Sequence, residues 1–183
     1  LEVIDAQTRI VFLASPNNPT GNLLTESDAR ALLETGIVVC VDETYYEFAQ
    51  SSLSHLLEEY ENLVILRSFS KWAGIAGLRV GYAIASETLV RHLMDIKQPY
   101  NINVAGEAAV LAALKHRDEL LKRAASLVDQ RKRLEEAIDG LDGISYYPSE
   151  GNFLLCRFEH RTAEEAYVAL AKHGIFVRRF PQS

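Results

Sequence analysis

The chain has 183 residues, 48% of them hydrophobic and 24% charged, a composition typical of a folded protein with a sizeable core rather than of a disordered one. Its net charge of −6 argues against broad binding to nucleic acid or to a membrane surface, because both favour an excess of Lys and Arg. The sequence has no apolar run near the ~20 residues that cross a bilayer. Cys40 and Cys156 lie far apart in apolar surroundings, as reduced cytoplasmic thiols do, and metal-binding motifs are absent from the sequence.

The first half alternates apolar stretches of strand length with helical patterns. We predict strands over residues 10–14, 37–41, 63–66 and 79–85, a helix that Thr25 and Asp28 open as a capping box, and a short helix over 54–61. Continuous apolar strands separated by helices indicate a mostly parallel α/β sheet covered by helices on both faces. Ligands of such sheets bind at the carboxyl ends of the strands, and polar clusters follow the first three strands.

The second half is mainly helical before its pattern changes at Gly143. We predict helices over 86–115, interrupted at 99–101, and over 117–138. Short strands at 144–147, 153–156 and 175–177 and a helix over 162–173 are typical of a small α+β unit. The expected organisation is a large domain over 1–90, long connecting helices over 91–143 and a small domain over 144–183.

Two of the polar clusters follow the first and second strands. The turn at 16–21 is an ordinary tight turn, or it holds the Asn18 amide at a strand end, where the amide donates to a ligand. Acidic residues such as Asp42 are often helix caps. A carboxylate at a buried strand end is nevertheless costly unless it meets a cation, and a protonated heterocyclic nitrogen is such a partner. Tyr45 is near enough in sequence to reach the same ligand.

The third cluster combines Ser68, Ser70 and Lys71, and Arg79 follows further along the chain. Two hydroxyls and a guanidinium suit a phosphate group. Desolvation keeps a lysine in an apolar neighbourhood neutral, which makes it a nucleophile or a Schiff-base former. The alternative is a surface lysine beside a Ser-rich turn.

Three motifs, in this order, resemble the fold-type I pyridoxal-phosphate-dependent aminotransferases: SPNNPTG at 15–21, VDETYYEF at 41–48 and RSFSKWAGIAGLRVGY at 67–82. Further segments, at 97–114, 150–158 and 174–180, are similar to the histidinol-phosphate aminotransferase subgroup. The resemblance spans essentially the whole chain. It implies an aminotransferase-like α/β fold, pyridoxal 5'-phosphate as the cofactor, and a cytoplasmic homodimer in the full-length form.

The resemblance also implies a role for each matching position. Lys71 would hold the cofactor as a Schiff base and transfer the proton. Asp42 would pair with the pyridinium nitrogen. The ring's phenolic oxygen would be bound by Asn18 and Tyr45, and the phosphate by Ser68, Ser70 and Arg79.

The substrate side is matched by fewer residues. Arg178 matches a position that contacts the substrate's phosphate, although an exposed basic pair with Arg179 is the alternative. Asn152 would lie near the substrate, with no assigned role. The family's N-terminal third and its C-terminal arginine have no counterpart in this sequence. We therefore expect both domains to be partial. Trp72, directly after the lysine, is bulkier than the family pattern leads us to expect.

Three functional hypotheses stay open at this stage. The leading one is transamination between histidinol phosphate and 2-oxoglutarate, with imidazole-acetol phosphate and glutamate as the other pair. The second is a decarboxylase or lyase of the same fold that acts on a phosphorylated amino acid. The third is a non-catalytic fragment, poorly active and oligomeric, because a sheet that lacks strands exposes an unpaired edge.

Overall fold

The computed structural model describes residues 4–180, and its main feature is a four-stranded sheet. The strands are β1 (Ile10–Ala14), β2 (Val38–Asp42), β3 (Leu63–Ser68) and β4 (Gly81–Ala85), and they are arranged in that order. β1, β2 and β3 are parallel, whereas β4 pairs antiparallel with β3. The prediction of a mostly parallel α/β sheet is confirmed.

Six α-helices and two short 3₁₀ helices connect and flank the strands of the described region. They are α1 (Glu26–Leu33), α2 (Tyr46–Ala49), α3 (Glu87–Ile96), α4 (Val104–Lys115), α5 (Arg117–Asp139) and α6 (Ala163–Lys172), with 3₁₀ turns at Ser54–Glu58 and Ala76–Leu78. The segment predicted as a short helix over 54–61 is thus a single 3₁₀ turn. The Thr25 hydroxyl caps α1 by accepting from the Asp28 N–H at 3.1 Å. The Asp28 carboxylate accepts from that hydroxyl rather than from the backbone, so the reciprocal capping box is not formed.

The core beneath the sheet is built from alternate residues of β2 and β3. Val39, Val41, Leu63 and Ile65 are fully buried against α1 and the 3₁₀ turn at Ser54–Glu58. Their spacing of two residues places them on one face of the sheet. This packing and the parallel pairing hold β2 and β3 side by side, and two of the polar clusters follow directly after these two strands.

Two smaller apolar clusters anchor the segments that follow β2 and β3. Phe69, Ala73 and Val80 pack with Ala113 of α4. Tyr45 and Phe48 pack with Ala124 of α5, and Trp72 contacts both clusters from the side. Trp72 therefore acts as packing between the two long helices and the strand ends.

The C-terminal part is a two-stranded antiparallel sheet followed by α6. Its strands are β5 (Ile144–Tyr147) and β6 (Leu155–Phe158). The strand predicted at 175–177 is wrong, because these residues are exposed and without regular structure. A strand needs partners for its backbone N–H and C=O groups, and in the described residues none of the strands pairs with this segment.

None of the helices in residues 4–180 has the length and apolar character needed to cross a membrane. Within the same range, His, Cys, Asp and Glu side chains form no cluster suited to a metal ion. Cys40 is buried and Cys156 half-buried, and each is a free thiol.

Candidate active site

The three motif-bearing segments meet at one edge of the sheet. Because β1, β2 and β3 are parallel, their carboxyl ends lie at the same edge, and two backbone hydrogen bonds continue the ladder past the strands. The Ser15 N–H donates to the Asp42 carbonyl and the Glu43 N–H to the Leu66 carbonyl, each at 2.9 Å. The segments 15–21, 42–45 and 68–71 are therefore neighbours in space, as the strand-end argument requires.

Asn18 and Tyr45 contact each other directly although 27 residues separate them. The Asn18 amide donates to the Tyr45 phenol oxygen at 2.8 Å. Tyr45 is buried, and its ring packs edge-on against Phe153 with ring centroids 5.0 Å apart. Because the phenol oxygen accepts this bond, the phenol proton is free to donate to a ligand oxygen. Amide and phenol thus present two donors at one point.

Asp42 is half-buried at the end of β2, with one carboxylate oxygen engaged. Its Oδ1 accepts from the Thr44 backbone N–H at 2.9 Å and from the Thr44 hydroxyl at 2.5 Å. Its Oδ2 has no hydrogen-bond partner within residues 4–180. A carboxylate oriented on one oxygen and open on the other suits a cationic ring nitrogen.

Ser68 and Ser70 lie in one tight turn, since the Ser70 N–H donates to the Ser68 hydroxyl at 3.0 Å. Lys71 follows, and its Nζ lies 5.6 Å from the centre of the Tyr45 ring. The expectation of a desolvated lysine is wrong for the described residues, because Lys71 is exposed. The apolar residues on either side, Phe69 and Ala73, turn inward to their own cluster and leave the amine at the open edge.

Arg79 lies next to this turn in an unusual backbone conformation. Its φ of 59° is left-handed, which is uncommon for a residue other than glycine and often marks a functional position. The Phe69 N–H bonds the Val80 carbonyl at 3.2 Å, which brings the Arg79 segment beside the Ser68 turn. The guanidinium donates to the Ala76 carbonyl at 3.3 Å and makes no hydrogen bond to Ser68 or Ser70.

Within residues 4–180, Arg178 has no hydrogen bond or ion pair with a residue of this edge. Its guanidinium lies 5.2 Å from the centre of the Phe180 ring. The adjacent Arg179 forms an ion pair with Glu164 and lies over Tyr167. The two arginines are thus used differently, and the substrate contact of Arg178 stays a prediction.

The sequence argument missed a buried ion pair directly behind the strand ends. The Glu43 side chain is 1% exposed, and its Oε2 lies 2.6 Å from the Arg67 Nη2. From the sequence we expected a carboxylate at a buried strand end, Asp42, to pair with a cation of a bound ligand. The fully buried carboxylate is instead its neighbour Glu43, and its cation is Arg67 of the same chain. The sequence did contain a signal for this ion pair, because an acidic residue, Glu43, and a basic residue, Arg67, each end an apolar strand.

Glu47, on α2, is a second carboxyl group behind this edge. Burial raises the pKa of Glu47 to about 7, and the Arg67 charge offsets only part of that effect. Its Oε2 is buried without a hydrogen-bond partner among the described residues. A carboxyl group in this setting is favoured in its protonated form.

A loop from the C-terminal part also reaches the edge. The Glu150 N–H donates to the Gly21 carbonyl at 2.9 Å, and the buried Arg131 donates to the Gly151 carbonyl at 2.6 Å. Phe153 of the same loop supports Tyr45. Asn152, which lies between these contacts in sequence, is exposed at this side of the molecule.

The side chains at this edge define the chemistry of a fitting ligand. A half-open carboxylate suits a cationic heterocycle, the amide–phenol pair suits a phenolic oxygen, two hydroxyls suit a phosphate, and an exposed primary amine suits a carbonyl carbon. A phosphorylated pyridine that carries a hydroxyl and an aldehyde matches all four features. The residues present therefore fit pyridoxal 5'-phosphate.

The sequence of the chain is similar to those of known proteins. The model of the family "Aminotransferase class I and II" matches residues 1–182. A histidinol-phosphate aminotransferase of Roseiflexus castenholzii is 47% identical over 175 residues, which cover 94% of this chain and 47% of that protein. The chain thus spans about half the length of the curated relatives it matches.

Solved structures show the same similarity in three dimensions. The histidinol-phosphate aminotransferase of Sinorhizobium meliloti in complex with pyridoxal-5'-phosphate has a TM-score of 0.76 at 27% identity, covering 92% of this chain and 48% of that one. The L-threonine-O-3-phosphate decarboxylase of Porphyromonas gingivalis has a TM-score of 0.82 at 26% identity, covering 97% and 57%.

Proposed function

This chain belongs to the family of class I and II aminotransferases, and from that premise we propose that the protein transfers amino groups with pyridoxal 5'-phosphate as its cofactor. The observation that carries the proposal is the meeting of Lys71, Asp42 and the Asn18–Tyr45 pair at one strand-end edge. The similarity to a relative solved with that cofactor supports it.

We assign the cofactor contacts to the residues at this edge. Lys71 would bind the cofactor covalently, Asp42 would pair with its ring nitrogen, and Asn18 and Tyr45 would donate to its phenolic oxygen. Ser68, Ser70 and Arg79 would bind the phosphate. When bound, the cofactor supplies an electron sink for the bonds broken at the substrate's α-carbon.

The protein's own side chains orient the reactants and move protons. Asp42, oriented through Oδ1 by Thr44, would hold a proton on the ring nitrogen with its other oxygen. Lys71, exposed beside the Tyr45 ring, would move a proton between the substrate's α-carbon and the C4′ carbon of the cofactor once its amine is free. The Phe153 contact keeps the Tyr45 phenol in place while the Asn18 amide fixes its direction.

Histidinol phosphate and 2-oxoglutarate are the substrates that the similarity favours. Support comes from relatives named histidinol-phosphate aminotransferase at 40–47% identity. Arg178 would bind the substrate's phosphate, since its guanidinium has no carboxylate partner within residues 4–180 whereas that of Arg179 is paired.

Decarboxylation of a phosphorylated amino acid is the second candidate. The observation that favours it is the TM-score of 0.82 to an L-threonine-O-3-phosphate decarboxylase. Both reactions use a lysine and an acidic partner of the ring nitrogen, because the cofactor carries the difficult chemistry. Formation of 2-oxoglutarate from glutamate and imidazole-acetol phosphate supports transamination, whereas carbon dioxide release from O-phosphothreonine supports decarboxylation.

We further propose a cytoplasmic homodimer with a large domain over residues 1–90, connecting helices over 91–143 and a small domain over 144–183. Two unpaired cysteines suit a reducing compartment. Exposed apolar side chains on and beside α3 and α4, such as Ile96, Tyr100 and Val104, provide surface for a partner subunit.

Borohydride reduction tests the cofactor assignment. The intact protein is incubated with pyridoxal 5'-phosphate, reduced and digested, and we expect the adduct on Lys71. The Lys71→Arg variant is the matched control and should give no adduct. A label on another lysine of the wild type, such as Lys97, contradicts the assignment.

A further inference from the structure

We propose that the buried ion pair of Glu43 and Arg67 is a positioning device, which holds the ends of β2 and β3 so that Asp42 and Ser68 keep the spacing that one cofactor molecule requires. The inference rests on the proposed function. Neither residue of the pair touches the cofactor in this proposal. Both act through the backbone of their sequence neighbours.

Both carboxylate oxygens of Glu43, and the Nε and Nη2 of Arg67, are engaged in hydrogen bonds or ion contacts in a buried setting. The Glu43 Oε2 accepts from the Arg67 Nε at 2.8 Å and from the Ser52 hydroxyl at 2.8 Å, and its Oε1 accepts from the Leu53 N–H at 2.8 Å. The Arg67 Nη2 also donates to the Ser52 hydroxyl at 2.9 Å. The guanidinium carbon lies 3.5 Å from the centre of the Tyr46 ring.

The location of the pair links it to the cofactor contacts. Glu43 directly follows Asp42, and Arg67 directly precedes Ser68. Because side chains alternate along a strand, Asp42 and Ser68 leave the sheet on the face opposite to the pair. The ion pair therefore fixes two backbone segments from behind, while their neighbours are free to contact a ligand in front.

Charges at these two positions break an otherwise apolar pattern. Val39 and Val41 precede Glu43 on the same face of β2, and Leu63 and Ile65 precede Arg67 on β3, all four fully buried. An apolar pair would continue this core and is often as stabilising as a buried ion pair. Unlike apolar contacts, the directional hydrogen bonds of the ion pair also fix the geometry of the two strand ends. A binding site needs such support from the residues behind it.

The same cluster also restrains a third cofactor contact. Ser52 and Leu53 bring the chain after α2 back to Glu43, and the Arg67 guanidinium covers Tyr46 at the start of α2. Tyr45, which receives the Asn18 bond, directly precedes Tyr46. One buried cluster thus holds the segments that carry Asp42, Tyr45 and Ser68.

A compensated double variant separates positioning from stability. Singly, E43Q or R67M leaves a buried charge unpaired and should lower the melting temperature. The double variant E43Q/R67M leaves no charge at either position, keeps an acceptor for the Leu53 N–H and approximates both volumes. At a pH below the raised pKa of Glu47, its melting temperature should therefore approach that of the wild type. We expect it to bind pyridoxal 5'-phosphate about tenfold more weakly, as when groups that orient ligating side chains are removed from metal sites.

Cofactor affinity is measured in the intact protein by titrating the visible absorption of bound pyridoxal 5'-phosphate. The control is R30M/E59Q, which removes a bidentate Arg–Glu pair that lies between α1 and the Ser54–Glu58 turn and should leave the affinity unchanged. Wild-type affinity in a stably folded E43Q/R67M overturns the inference.

A second variant, R67K, tests the inference if the double variant E43Q/R67M fails to fold. R67K keeps the charge but offers a single nitrogen, whereas Arg67 contacts the Glu43 Oε2 with both Nε and Nη2. We therefore expect a folded protein with weakened cofactor binding and an altered pH titration of the absorption band. Unchanged binding and an unchanged titration in R67K overturn the inference. A wild type that binds no pyridoxal 5'-phosphate instead refutes the proposed function itself.

Discussion

At the scale of single residues, the burial of Glu47 makes the free energy of unfolding depend on pH. The folded protein raises the pKa of this carboxyl from 4.5 to about 7 by burial. Between these pH values the folded state holds a proton that the unfolded chain has released. The free energy of unfolding therefore falls as the pH rises through this window.

The variant Glu47→Gln tests this effect, because glutamine stays neutral at every pH. We expect the variant to be more stable than the wild type at pH 8, and the difference to shrink as the pH falls and to vanish below 4.5. Urea unfolding at a series of pH values measures it. Glu59 serves as the control, since its hydrogen bond to Arg30 lowers the pKa, so E59Q should give no gain at pH 8. An equal gain for E47Q at pH 4 and pH 8 contradicts the explanation.

The Asn18–Tyr45 contact gives a second prediction at this scale. Tyr45→Phe keeps the ring against Phe153 and removes only the phenol oxygen. Losing one hydrogen bond to the cofactor should weaken its binding about 2- to 10-fold. Titration of the visible absorption measures the change, and Tyr60→Phe, on the far side of the core, is the matched control. Unaltered affinity in Y45F removes Tyr45 from the proposed contacts.

At the scale of elements, the loop over 149–153 is fitted to the turn at 15–21. Gly21 has a φ of 81°, and a Cβ there would lie 2.5 Å from the Ser149 Cβ. Glycine is needed at this position both for its backbone conformation and for the close approach of Ser149. The contact joins the turn that carries Asn18 to the C-terminal part of the chain.

Gly21→Ala and Gly36→Ala separate these two requirements. Gly36 has a similar φ of 78° with no atom within 4 Å of the added Cβ, so G36A reports backbone strain alone, about 1 kcal/mol. We expect G21A to lose clearly more stability and also to weaken cofactor binding, since the Asn18 turn must move. Chemical unfolding and cofactor titration measure the two effects. Equal losses in both variants show that the Ser149 contact is unimportant.

The elements near the site were predictable from local signals. Strand lengths, the helix cap at Thr25 and the polar residues at strand ends depend on neighbours in sequence. The strand predicted at 175–177 was wrong because three apolar residues show β-propensity but not whether a pairing edge is nearby. Burial of Lys71 was overestimated for a similar reason, since its apolar neighbours pack away from it.

At the scale of the whole molecule, the sheet leaves apolar surface uncovered. Ile10 and Phe12 occupy alternate positions of the edge strand β1 and are 50% and 69% exposed, whereas Leu13 packs on the core beneath. An exposed apolar edge strand is a template for association with another chain. We therefore expect the isolated chain of 183 residues to be oligomeric in solution.

The double variant I10K/F12K should shift the isolated chain towards the monomer without lowering its stability, because both side chains are largely exposed. Sedimentation at several protein concentrations measures the change. E34Q/E58Q, which alters the net charge by the same amount at two exposed positions, is the control and should stay oligomeric. A wild-type chain that is already monomeric at all concentrations refutes the prediction.

The sequence alone determined the α/β class, the positions along the chain of the strands that bear the motifs, and which candidate residues follow their carboxyl ends. These follow from hydrophobic periodicity and turn chemistry, which are local, and from the rule that parallel strands end at one edge. Only the tertiary structure decided which polar groups meet: Asn18 with Tyr45, Glu43 with Arg67, and Gly21 with Ser149. Such pairings depend on the register between strands and on the return of distant loops. Length and composition pointed to a chain that buries a core, whereas the exposed face of β1 shows that residues 4–180 leave part of the sheet uncovered.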